Sequence, residues 1–186
     1  RASQEKSRVT PRRRVRGCSV VGTPSIRTFP LVPKSTRWLQ PGDFWAVPLP
    51  GGRFACGRVL QVEGDRIPVP ARGFFGGVLN WLGDAPPTSE AIAGHKVLEH
   101  GVMHIRAITR TGGAILGHRN LALDDIESPV LLSAVGGPDV KLLTGARTIR
   151  SARPDELRKY PVLGCWGYLH IQDLAAYRLL EEASPD

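Results

Sequence analysis

Apolar and polar positions alternate most clearly between residues 42 and 62, and the pattern predicts a β-hairpin. Trp45, Val47 and Leu49 fall on one face of the first strand and Phe44 and Ala46 on the other, so both faces are expected to be covered. Pro50, Gly51, Gly52 and Arg53 follow, and the glycines supply the positive φ that a tight turn requires. A second strand through residues 54–62 is rich in β-formers, and Glu63, Gly64 and Asp65 end it. Pro48 has no N–H to give to a ladder, which places the first strand at a sheet edge or beside a bulge.

Residues 73–82 read as a further strand whose glycines allow close backbone approach or a bulge. Thr88 caps a short helical turn that runs to Ala93, with Gly94 after it. Residues 97–98 and 102–109 are strand-like, and Thr111, Gly112 and Gly113 suggest a hairpin into residues 114–116. Pro154 at a first helical position, Asp155 and Glu156 in the first turn and Pro161 beyond describe a helix of one to two turns. Ile171, Leu174, Ala175 and Leu179 form one stripe of a C-terminal helix over residues 171–182. Strands with helices inserted and appended define an α+β fold: a largely antiparallel sheet opened by a β-hairpin, with short helices and a C-terminal helix.

Charge changes the picture of where the domain lies. The chain of 186 residues carries a formal net charge of +8, yet residues 1–37 hold +9 and the remainder −1. The basic segment has little periodic apolar content, so residues 1–37 are expected to be a disordered extension and residues 38–186 a single α+β domain. Such a tail could contact phosphates through salt-sensitive, nonspecific pairing. It lacks interleaved aromatics for base stacking, and nucleic acid is therefore the less favoured partner. No apolar run is long enough to cross a bilayer, and the basic N-terminal residues do not read as a secretory signal; no membrane partner is expected, and the cytoplasm is the expected compartment. Cys18, Cys56 and Cys165 are few, odd in number and far apart, and are expected to be reduced thiols.

The motifs of catalysis and cofactor binding are missing. His95, His100 and His104 have permissive spacing but no HExxH pattern or Cys/His cluster, so no metal is expected. There is no G-x-S-x-G elbow, Walker loop or dinucleotide fingerprint, and no catalytic residue or cofactor is assigned. A hydrolase site assembled from Cys56 or Cys165 and a histidine only in space escapes that test. Asp124, Asp125 and Glu127 form an acidic cluster that could hold a divalent cation, cap a helix or face a basic partner, the plainer reading being a solvated loop.

The run Pro41-Gly-Asp-Phe-Trp-Ala-Val-Pro-Leu-Pro-Gly-Gly-Arg-Phe-Ala-Cys-Gly-Arg-Val59 resembles the opening pattern of the Immunity protein 26 family of bacterial polymorphic-toxin systems. Weaker similarity extends through residues 102–123 and 166–174. The resemblance implies a cytoplasmic α+β protein that binds a cognate protein toxin and blocks it, with no reaction of its own. The basic N-terminus and the insertion around Pro86 and Pro87 depart from the pattern. For such an interface the candidate contacts are Trp81 with Asp84, and Asp124, Asp125 and Glu127. Trp81 reads equally as core packing.

Overall fold

The computed structural model describes residues 27–67, 71–134 and 139–181. Two strands open the fold as expected: β1 (Asp43–Pro48) and β2 (Phe54–Gln61) pair antiparallel, with Trp45 opposite Gly57 and Phe44 opposite Arg58. Gly51 and Gly52 take φ of 74° and 75° in the connecting turn, a conformation that a Cβ would strain. β3 (Gly73–Gly83) pairs with β2 through two register shifts, and β4 (Val97–His104) pairs with β3. Before β4, Thr88 caps its turn by accepting the Ala91 amide at 3.2 Å.

Residues 102–109, expected as one strand, divide at Ile105. β4 ends at His104, and a short helix α1 (Arg106–Arg110) begins, with Ala107 and Ile108 buried on its inner side. Nor does a hairpin follow Gly112 and Gly113. The chain returns to the far side of the sheet, where β5 (Gly117–His118) pairs with β1. Gly112 is small for another reason: a Cβ there would collide with the Ala46 carbonyl.

Three strands outside the expected set form a second antiparallel sheet: β6 (Val130–Leu132), β7 (Lys141–Thr144) and β8 (Arg147–Ser151). A three-residue strand β9 (Gly164–Trp166) then pairs parallel with β4, giving a main sheet of order β5-β1-β2-β3-β4-β9. Immediately before β9 the same extended stretch bonds to β6, with the Leu132 amide on the Pro161 carbonyl and the Leu163 amide on the Leu132 carbonyl, both at 2.8 Å. The short helix expected from Pro154 is a 3-10 turn (Pro154–Glu156), and the C-terminal helix α2 (His170–Ala176) continues as a π turn (Tyr177–Glu181). The fold is thus α+β.

Both faces of the hairpin are buried, as the alternation implies. Trp45, Val47, Val59, Phe74 and Val78 face α1 and α2, which add Ala107, Ile108, Ile171 and Ala175. On the other face, Leu60, Phe75 and Val102 meet Leu131, Leu143 and Ala146 of the second sheet. Alongside them Phe44, Cys56, Leu79 and Trp81 pack with Ile92. Side chains that alternate between two covered faces explain why β1 to β3 carry almost no surface polarity.

Residues 27–37, placed in the extension by composition, pack on this body. Arg27 makes a two-pronged pair with the buried Asp43 at 2.7 Å on each oxygen, and Leu31 bridges to Ile115. Arg27 counted as part of a basic run, but its charge is neutralised internally. The rest of the expected extension, residues 1–26, lies outside the described residues.

Candidate functional site

The acidic cluster sits on the chain that leaves β5. Asn120 caps a 3-10 turn (Leu121–Asp124) by accepting the Ala122 amide at 3.0 Å, and Asp125 ends it at φ 49°. Aspartate tolerates that left-handed conformation better than most residues. From there side chains alternate. Asp124 turns inward with 0% side-chain exposure, Asp125 points out at 93%, Ile126 packs back on the core and Glu127 is exposed.

Asp124 is the anchor of the loop. Its carboxylate accepts Arg119 Nε at 2.9 and 3.0 Å, the Gly94 amide at 2.9 Å and Arg58 Nη2 at 3.3 Å. Burial by itself would raise this carboxyl's pKa, but the Gly94 amide and the two guanidinium groups outweigh it and hold it below the usual carboxylate range. Arg58 has no side-chain exposure and also donates to the Arg119 carbonyl. Burial lowers its pKa, opposed by Asp124, and no acceptor among the described residues meets its Nε and Nη1. An arginine desolvated this deeply remains charged and depends on the carboxylate beside it.

Lys96 ties the loop to the start of β4, donating to the Asp124 carbonyl and standing 3.7 Å from the Asp125 carboxylate. Asp84 lies just past β3, beside the hairpin turn, with 96% side-chain exposure and Arg53 at 3.8 Å. Such exposed pairs are worth little in stability, which leaves both carboxylates available to a partner. Trp81 is 8% exposed and belongs to the cluster around Ile92, the burial of a core residue. Asp125 and Glu127 thus share the exposed side of one loop, which Asp124 holds together from below, whereas Asp84 stands apart from it past the end of β3.

Sequence reading missed Arg58, Arg119 and Asp43 as partners in buried charge. A signal was present: Arg58 and Asp43 interrupt strands that are apolar on both faces, so each has to meet an opposite charge inside. Asp43 meets Arg27, and its carboxylate also lies 3.1 Å from His118 Nδ1 and accepts the Gln40 amide at 2.9 Å.

The histidines do not converge. His95 Nδ1 meets the Asn80 carbonyl, His100 stacks on Phe75, and His104 Nδ1 accepts the Arg106 amide at 3.0 Å. Cys56 is fully buried, and desolvation pushes its thiol up, with Arg58 opposing. Cys165 is exposed and lines a groove with His104, yet no hydrogen bond joins the two. In a Cys18→Ser variant, one rapid equivalent of thiol, Cys165, is expected to react with DTNB, and a second, Cys56, only in denaturant. Two rapid equivalents would contradict that burial.

No helix among the described residues is long and apolar enough to cross a membrane. A sheet covered on both faces, with a turn-borne charged surface at one end, defines a scaffold suited to recognition. The chain belongs to the Immunity protein 26 family, whose model matches residues 40–134, from the approach to β1 through β6. That stretch contains Asp84, Asp124, Asp125 and Glu127 and confers a toxin-neutralising role at the level of the family. No curated protein and no solved structure matches the chain.

Proposed function

We propose that the protein is a non-enzymatic immunity protein that acts in the cytoplasm, binding a cognate polymorphic toxin and blocking it through the acidic loop that follows β5. The observation that carries this reading is the alternation in the loop after β5. Asp124 and Ile126 are fixed inward, so Asp125 and Glu127 are presented outward on a backbone that binding need not order. Their negative charge favours a basic face on the toxin.

The test is co-expression with the toxin encoded beside the gene. A one-to-one complex and rescue of the intoxicated cell are expected. Reversing charge with Asp125→Lys and Glu127→Lys should slow association about tenfold at low salt and flatten its salt dependence, because steering is electrostatic. Absence of both complex and rescue overturns the proposal; a complex whose association rate ignores both substitutions overturns the acidic surface.

A further inference from the structure

The β4–β9 edge of the main sheet carries a second surface of different chemistry. β3 begins at Gly73, opposite His104. At the Gly73 end a groove of about 200 Å³ is lined by Val102, Met103, His104, Cys165, Trp166 and Tyr168. No carboxylate lines it.

The groove is held open by its own packing. Trp166 lies against Gly101, where any Cβ would strike the indole, so the ring forms a fixed wall. Tyr168 is 42% exposed, with His104 at 5.5 Å between ring centroids and the Arg106 guanidinium 5.4 Å from its ring centre. Arg72 adds a second cation, near enough to His104 to join Arg106, behind burial, in lowering the imidazole's pKa. No salt bridge from Arg72 or Arg106 to a carboxylate occurs among the described residues. Alongside runs β9, the last strand of the sheet, whose outer edge has no strand neighbour among the described residues.

We infer that this groove docks an acidic, extended segment of a partner protein, which seats one aromatic or aliphatic side chain against Trp166 and sets its carboxylates against Arg72 and Arg106. Each element points to that occupant. The volume falls below the roughly 300–1,000 Å³ of small-molecule sites and suits a single anchoring side chain. The cationic rim without carboxylates selects negative charge, and the open edge of β9 offers backbone groups to an added strand. A nucleic acid strand fits less well, because base stacking needs an unoccupied aromatic face and that of Tyr168 is engaged by Arg106 and His104. The groove shares no lining residue with the acidic loop and does not depend on how the toxin is bound.

The probe is an acetylated nine-residue peptide with a central phenylalanine flanked by glutamates, labelled for anisotropy and titrated against the full chain carrying Cys18→Ser. Binding is expected at low salt, together with at least tenfold slower alkylation of Cys165. Arg106→Glu, or serine in place of the peptide's phenylalanine, should weaken binding at least tenfold, whereas Arg106→Lys should retain most of it. No binding at low salt, equal binding of the peptide with lysines for glutamates, or stronger protection of Cys165 by a single-stranded oligonucleotide would each overturn the inference. So would binding that arises only when residues 182–186 are removed, or protection of Cys165 by concentration-dependent dimerisation alone, since the occupant would then be the chain itself.

Discussion

Replacing Asp124 with alanine is expected to lower the unfolding free energy by about 3–5 kcal/mol, because it leaves Arg58 charged, fully buried and without its carboxylate. Denaturant midpoints measure the loss. An Arg58→Met, Asp124→Leu pair should recover much of it, since replacing both charges removes the desolvation that the single change leaves uncompensated. The carboxyl of Asp124 is held below its ordinary pKa, so its stabilisation is present above the unfolded value near 3.9 and is lost as pH falls through the folded value. Asp124→Asn should therefore flatten the acid limb of the stability curve. If Asp124→Ala unfolds at the wild-type midpoint, the buried pair does not hold the loop.

The second large effect concerns Trp45, which has no exposed surface and lies over the glycine opposite it on β2. Trp45→Ala is expected to cost about 3–5 kcal/mol through lost burial and the cavity left behind. Gly57→Ala should cost about 1–3 kcal/mol, although alanine is the better strand residue, because its methyl group would enter the space of the indole. In the Trp45→Ala background the Gly57→Ala penalty should vanish. A double-mutant cycle with no coupling between the two positions would refute this account of the glycine.

What could be read from the sequence followed the distance over which its causes act. The hairpin was legible because period-two alternation and a glycine pair are local signals, and Ile171 and Ala175 were legible as a helical stripe for the same reason. The break at Ile105 was not, since a β-branched run satisfies a strand pattern and only packing of Ala107 and Ile108 under the sheet selects helix. Similarly, the chain leaving α1 passes over Ala46 at Gly112 and pairs with β1 at β5 through contacts far away in sequence. The second sheet carries exposed Arg147, Ile149 and Arg150 on β8, which blur its alternation.

For the candidate site, composition gave the acidic cluster but not its inner geometry. Asp124 and Asp125 are adjacent and chemically identical; one is buried because Arg58, 66 positions earlier, waits beneath it. Parity along 124–127 was the available signal, with Ile126 marking the inward phase. The cation groove was harder to see, since Arg72, His104, Trp166 and Tyr168 are gathered only by the pairing of β9 with β4.

That pairing has a consequence for the unit that evolution and expression must preserve. The stretch from Pro161 to Trp166 bonds first to β6 and then to β4, stitching two sheets with one thread. A fragment trimmed to the matched residues 40–134 would drop this thread together with β7 and β8, leaving β6 unpaired and the β4 edge bare, an invitation to self-association. It would also discard Arg27 and leave Asp43 without its two-pronged partner. The heritable signature is accordingly smaller than the piece of chain that has to travel with it.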